Sequence, residues 1–171
     1  MKYTRFEELP VWRAAIELAV RTYAMTADQC FKGQAGLRDQ IERAAVSVSN
    51  NVAEGFERGT TQELLTFLYI ARGSAGEVRS MLCLLERLPA FNDLKSEISN
   101  LKSQAESISR QLRAWADSLQ NSEIKGQRYL TDKVRRVESE TRSREEFVKE
   151  LRQIQNDNIA RARDKHKLSD T

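Results

Sequence analysis

Histidine, cysteine, proline and glycine are all scarce in this chain, and the first two shortages weigh against whole classes of site. The 171 residues include 1 His, 2 Cys, 2 Pro and 7 Gly. The only histidine, His166, lies among charged residues, which argues against a histidine base, a nucleophilic triad and a His-ligated metal. Cys30 and Cys83 have neither CxxC spacing nor a neighbouring histidine, so we expect free, buried thiols. The sequence predicts a protein that is not an enzyme and holds no cofactor or metal.

Long apolar runs and phosphate-binding loops are missing as well. No run of about 18 or more apolar residues occurs, and no signal-peptide pattern opens the sequence, so we expect a cytoplasmic protein with no membrane partner. Residues 55–59 read GFERG, without the lysine and preceding strand of a P-loop, and are better explained as a turn between helices. Adjacent carboxylates such as Glu145 and Glu146 point in different directions on a helix, which does not suit acid-base chemistry.

Helical periodicity dominates what is present. With 31% charged residues and little glycine or proline, the sequence predicts long helices. Residues 44–53 contain no charge. One apolar arc at helical spacing comprises Leu37, Ile41, Ala44, Ala45, Val48 and Val52. A second, polar arc comprises Gln40, Arg43, Ser47, Asn51 and Glu54. Because neither arc is a charged stripe, we expect this helix to be covered on most sides, with the polar groups pairing across a close-packed interface and the Glu54 carboxylate buried.

Proline, glycine and capping residues predict where the helices begin and end. Pro10 suits the first turn of helix 1, which should end before Gly33. Gly55 and Gly59 are expected to stop helix 2. Thr60 and Glu63 have the spacing of a capping box that starts helix 3.

The last bundle helix has the clearest repeat. Pro89 should separate helix 3 from helix 4, with Asn92 as the cap of helix 4. Apolar residues then recur at alternating steps of four and three, as in a coiled coil: Leu94, Ile98, Leu101, Ala105, Ile108, Leu112, Trp115 and Leu119. Four such helices with short links predict an all-α, antiparallel up-and-down four-helix bundle over residues 1–119.

A charged tail follows at residues 120–171. Thirteen of the 28 basic residues and ten of the 25 acidic residues lie there, so the tail carries the whole net charge of +3. A broken heptad through Leu130, Val134, Val137, Val148 and Leu151 predicts a long, weakly amphipathic helix that needs a partner and frays beyond Gln155.

The bundle segment resembles a known family. The pattern QI.RAA.SV.NN.AEG..RG at residues 40–59, the capped third helix, and Gly73, Ser74 and Glu77 are similar to the four-helix bundle proteins encoded in intervening sequences of bacterial 23S ribosomal RNA genes. The resemblance covers about residues 3–119. It implies a ring, typically a homopentamer, without enzymatic activity. A related bundle is the accessory protein of diversity-generating retroelements, where it binds a reverse transcriptase and nucleic acid.

Two functions from different classes fit these observations. The first is a nucleic-acid-binding accessory protein, whose candidate contacts are Arg43, Arg58, Arg72, Arg79, Lys133, Arg135 and Arg136. For the first four, ion pairs with Glu42, Glu54, Glu57 or Glu77 are the competing explanation, and for the tail residues it is a solvated helix surface. The second is an oligomeric scaffold that recruits a protein, such as a reverse transcriptase, through its C-terminal helix. The resemblance implies interface positions at Gln40, Ser47, Asn51, Glu54, Ser74 and Glu77.

Overall fold

Four long helices make up the ordered architecture of a computed structural model, which describes residues 3–121, 143–144, 146–149 and 152–153. They are α1 (Pro10–Thr26), α2 (Ala35–Glu57), α3 (Thr61–Leu85) and α4 (Lys95–Gln120). Short 3-10 turns lie at Phe6–Glu8, Gln29–Phe31 and Pro89–Leu94. The described residues contain no strand. The predicted all-α bundle is therefore confirmed.

The chain divides into two compact units, Met1–Arg128 and Tyr129–Thr171. All four long helices belong to the first unit. The predicted tail lies mostly outside the described residues, so the proposed division at residue 120 stays a prediction. The described tail residues, 143–144, 146–149 and 152–153, are helical.

Each bundle helix packs against its neighbours in sequence, and α1 also packs against α4, so that the four helices surround one core. The apolar arc predicted for α2 lines the core: Ile41, Ala45, Val48 and Val52 are fully buried. One reason for the lack of charge in α2 is therefore found within a single subunit, because the apolar side of the helix faces the core of its own bundle.

The coiled-coil-like repeat of α4 is also buried, with one late change of position. Ile98, Leu101, Ala105, Ile108 and Leu112 have no exposed surface. At the next position Ala116 is buried and Trp115 only half-buried. A straight helix turns by about 20° per heptad relative to a strict seven-residue repeat, so a shift of one residue keeps the apolar side facing the core.

Gly55 does not end α2, contrary to the prediction. It lies inside the helix and is buried. A Cβ built at Gly55 would lie 2.7 Å from the Cβ of Phe67 on α3, so glycine here lets two helices approach closely. The helix ends instead at Glu57, before Gly59. Among the described glycines only Gly33, in the connection between α1 and α2, has a positive φ (81°).

One predicted cap is confirmed and the other is wrong. The Glu63 backbone N–H donates to Thr60 Oγ1 at 3.2 Å, and Thr60 Oγ1 donates to the Glu63 carboxylate at 2.8 Å. Asn92 does not cap α4, because the 3-10 turn continues to Leu94, which precedes α4 and has no capping side-chain bond. Within this turn Phe91 is buried against Phe31, with ring centroids 4.8 Å apart, which holds the chain in the turn before α4 begins.

A polar clamp joins α1 to α4. Arg21 Nε and Nη2 donate to the two Glu97 carboxylate oxygens at 3.1 and 2.9 Å, and Arg21 Nη1 donates to Gln104 Oε1 at 3.0 Å. Gln104 Nε2 in turn donates to the Ala14 backbone oxygen at 3.1 Å. Because Arg21 and Glu97 are about one-third exposed, this two-pronged pair is partly shielded and fixes how α1 is placed along α4.

Candidate nucleic-acid interface

Arg58, one of the predicted nucleic-acid contacts, is held within its own subunit. Its guanidinium donates to Glu54 Oε1 and lies 3.9 Å from Glu63 Oε1. It also covers the ring of Phe67, 5.1 Å from the ring centroid. The hydrogen bond with Glu54 raises the pKa of Arg58. For this arginine the competing ion-pair explanation therefore holds in the single chain.

The other three arginines of the bundle that were predicted as contacts have no such partner among the described residues. Arg43 and Arg79 are exposed and Arg72 is half-buried. In the part of the chain that the structure describes, none of the three lies within 4.0 Å of a carboxylate oxygen. An unpaired guanidinium keeps its full charge and all its donors for a ligand.

These arginines occupy two separate surfaces of one subunit. Ser74 marks the side of α3 that meets α2, because its hydroxyl lies 2.9 Å from that of Ser47. At about 100° per residue, Arg72 and Arg79 lie about 160° and 140° around α3 from Ser74, on the side away from α2. Arg43 lies on the outer side of α2. Only neighbouring subunits or an extended ligand could therefore join them into one binding surface.

Three of the predicted interface residues contact each other inside one subunit. Asn51 Nδ2 donates to the Ser47 backbone oxygen at 2.7 Å and to Ser47 Oγ at 3.0 Å. Ser47 in turn meets Ser74 on α3, so this polar cluster joins α2 to α3. Gln40 and Glu77 are exposed in the single chain. The Glu54 side chain, which we expected to be buried, is 50% exposed, since it reaches outward to Arg58.

A surface that the sequence did not reveal is the outward side of α3, here called the α3 outer face. It comprises Thr66, Tyr69, Ile70, Gly73, Gly76, Glu77, Ser80 and Leu84, all exposed. Tyr69, Ile70 and Leu84 are 43–47% exposed, and nothing lies within 4 Å of a Cβ built at Gly73 or Gly76. Glu77 is its only charged side chain. Large apolar groups beside glycines, with little charge, are typical of surfaces that pack against another helix.

A second surface missed at the sequence level is the α1–α2 groove. It is lined by Tyr23, Arg43, Val46, Ser47, Asn50, Asn51 and Glu54, with a volume of about 360 Å³. Tyr23, the α1 residue of this lining, is 49% exposed. Helical spacing alone could not predict this position, because neighbouring positions around a helix can face either the core or a surface groove.

The tail contributes few described residues. Lys133, Arg135 and Arg136 lie outside them, so their predicted contacts stay predictions. Phe147 and Val148 are 60% and 39% exposed on the described helical residues. Both are large apolar side chains with a substantial part of their surface exposed.

The remaining chemistry of the described residues is limited. Cys30 and Cys83 are free and half-buried, and burial raises the pKa of the Cys30 thiol to about 11. A thiol with so high a pKa is a poor nucleophile near neutral pH. No cluster of His, Cys, Asp and Glu suited to a metal occurs in the ranges that the structure describes. No helix in those ranges is long and apolar enough to cross a membrane.

Comparison with known proteins gives a family and a fold. The model of the family described as "23S rRNA-intervening sequence protein" matches residues 7–114. Among solved structures, the chain is similar to a protein with unknown function from the S23 ribosomal protein family of Bacteroides thetaiotaomicron VPI-5482. That match has 20% sequence identity and a TM-score of 0.55, and covers 62% of this chain and 97% of the other. No curated protein matches the chain.

Proposed function

Because the chain belongs to the family of 23S rRNA-intervening sequence proteins, we propose that it is a cytoplasmic, non-enzymatic homo-oligomer that binds nucleic acid. One observation carries the nucleic-acid part of this proposal. Arg43, Arg72 and Arg79 have no carboxylate partner among the described residues, although the bundle has as many acidic as basic side chains. Free guanidinium groups supply the phosphate contacts on which nucleic-acid affinity mainly depends.

Assembly would raise the affinity for nucleic acid of a surface that offers few contacts in one subunit. Three free arginines on two surfaces are few for a nucleic-acid-binding protein. In a symmetric homo-oligomer each arginine is repeated in every subunit, and contacts made to one strand then act together. We propose that the α3 outer face supplies the contact between subunits, because it is apolar and nearly uncharged. The family resemblance favours five subunits.

The dependence of binding on salt tests the nucleic-acid part. We would compare the full chain with the triple variant Arg43→Gln, Arg72→Gln, Arg79→Gln, measuring the association constant for a labelled RNA at several salt concentrations. Each lost phosphate contact should lower the slope of log K against log salt by about 0.7 to 0.9.

A matched control removes three exposed arginines that do have carboxylate partners. Arg38, Arg110 and Arg113 pair with Asp39, Glu106 and Asp117. Their replacement by glutamine changes the net charge equally but should leave a steeper salt dependence than the first triple variant. Equal slopes for the two variants would show that general charge, and not these three arginines, determines binding. Failure of the unaltered protein to bind any RNA or DNA at low salt would refute the proposal.

A second candidate function is a scaffold that recruits a protein, such as a reverse transcriptase, through the tail. The exposed Phe147 and Val148 favour it, because apolar groups on a charged helix suit a helical partner groove. Affinity capture after nuclease treatment separates the two candidates. A partner retained by the full chain but lost with Phe147→Ser and Val148→Ser would support the scaffold. Capture that disappears with nuclease would support nucleic-acid binding.

A further inference from the structure

We propose that the α1–α2 groove is a binding site for an unpaired nucleotide, with Tyr23 as the stacking surface and Arg43 as the phosphate contact. This inference rests on the proposed function, and it adds to it a location and a preference for single strands. The groove has a volume of about 360 Å³ and is wide open to solvent, which suits one segment of a strand better than an enclosed small molecule.

The aromatic wall of the groove suits a base. Tyr23 is half exposed, although large aromatic side chains usually bury most of their surface. Stacking on an aromatic ring requires a free base face, which a single strand presents and a duplex does not. Val46, half-buried at the same groove, extends the apolar surface beneath a stacked base.

The polar groups of the groove suit the rest of a nucleotide. Arg43 is exposed and has no carboxylate within ion-pair distance in the described ranges, so its charge is available to a phosphate. Asn50 is exposed and carries both a donor and an acceptor, which can bond a base edge or a sugar hydroxyl. The one carboxylate in the lining, Glu54, is offset by its ion pair with Arg58. The groove therefore combines an aromatic face, a cation and an amide.

Binding of labelled single-stranded and double-stranded oligonucleotides of the same sequence tests the site. We expect the full chain to prefer the single strand, and Tyr23→Ala to weaken that binding by about 5- to 100-fold, the range for loss of one stacked base. Tyr23→Phe keeps the ring and should restore most of the affinity. Arg43→Gln should lower the slope of log K against log salt by about 0.7 for the single strand.

Matched control variants separate this site from general surface effects. Val20 is a large apolar side chain on the same helix with a similar exposure of 57%, but it does not line the groove, so Val20→Ala should leave binding unchanged. Arg110 is exposed and paired with Glu106, so Arg110→Gln should lower affinity less than Arg43→Gln.

The possible outcomes distinguish the site from the function. If the unaltered protein binds neither oligonucleotide at low salt, the proposed function itself fails. If it binds but Tyr23→Ala has no effect, or if the duplex is preferred, only the groove site is overturned. A change in particle mass for Tyr23→Ala, measured by light scattering without nucleic acid, would overturn it too. In that case a second copy of the chain occupies the groove.

Discussion

The outward sides of α3 and α4 differ sharply, although the two helices are nearly equal in length and share one core. α4 presents serines, amides and charged groups, with ion pairs one turn apart between Arg110 and Glu106 and between Arg113 and Asp117. The α3 outer face presents Tyr69, Ile70 and Leu84 around two glycines. The charged groups of α4 are well solvated by water. Burial of the apolar groups of α3 against another surface, in contrast, would lower the free energy.

This difference shows that the core-facing residues alone do not reveal which of the two helices has an unusual outer surface. Both have a continuous apolar stripe that lines the core. What separates them is the side away from the core, where α4 follows the usual pattern of a surface helix and α3 departs from it. The departure is costly, because an exposed glycine inside a helix lowers stability by about 1 kcal/mol relative to alanine. Close approach of another helix would compensate for that cost.

The largest expected effect comes from placing a charge on the α3 outer face. In Ile70→Arg we expect the assembly to separate, with a dissociation constant at least ~100-fold higher, because an unpaired charge would be buried in the contact. Ser103→Arg, on the exposed side of α4, is the matched control and should keep the original mass. Light scattering coupled to size exclusion measures both. Equal masses for the two variants would contradict a role of this face in assembly.

Substitutions at two glycines should change stability in opposite directions. Gly55→Ala should lower the free energy of unfolding by about 1–3 kcal/mol, because the added Cβ would meet Phe67. Gly73→Ala meets nothing within 4 Å and should raise it by about 0.5–1 kcal/mol. Urea unfolding in the Ile70→Arg background, in which subunits should be separate, measures both. A loss of stability in Gly73→Ala would mean that the α3 outer face is covered by its own chain.

The start of α3 should be more sensitive than most of its surface. Thr60→Ala removes the hydroxyl that accepts the Glu63 N–H, and we expect a loss of about 1 kcal/mol in the free energy of unfolding. Thr66→Ala is the control on the same helix, since its hydroxyl bonds only the preceding turn at Gln62. Its effect should stay within about 0.5 kcal/mol. Similar losses for both would exclude a special role of the cap.

The smallest effect concerns an ion pair between Glu86, the residue that follows α3, and Lys102 on α4. Lys102 Nζ donates to Glu86 Oε2 at 2.6 Å, and this hydrogen bond lowers the pKa of the Glu86 carboxyl. A carboxyl with a lowered pKa in the folded state stabilises the fold above its unfolded pKa, and that contribution is lost as the pH falls through the folded value. In Lys102→Met we expect the Glu86 pKa to rise toward its ordinary value, as measured by an NMR titration. An unchanged pKa would show that the pair does not form in solution.

Much of the bundle could be predicted from the sequence because its signals are local. The α4 repeat and the Thr60 cap each depend on residues within a few positions of one another; the cap was confirmed, and the five central positions of the repeat, from Ile98 to Leu112, are buried as predicted. Gly55 was misjudged because its reason lies twelve residues away, at Phe67 on another helix. Lack of charge around Val48 predicted burial, but it could not say whether the cover is the same bundle or a second subunit.

The candidate surfaces were harder to predict than the fold. Three arginines proposed from the sequence have no carboxylate partner among the described residues, but spacing along one helix could not place Arg43 of α2 relative to Arg72 and Arg79 of α3. Tyr23 and Ile70 became visible only when exposure was known, because an apolar residue beside the core stripe can face either a neighbour or water. A helical repeat drifts by about 20° per heptad, so the sequence pattern does not decide on which side of the edge of the core such a residue lies.

The clamp between Arg21 and Glu97 has a consequence for the order of folding. Those residues are 76 positions apart, whereas the contacts of α2 with α3 and of α3 with α4 join segments that follow each other directly. Closing the longer loop costs more entropy, so α1 and α4 should meet late, after the transition state has formed. A contact absent from the transition state slows unfolding without speeding folding. We therefore expect the clamp to prolong the lifetime of the folded bundle without speeding its formation.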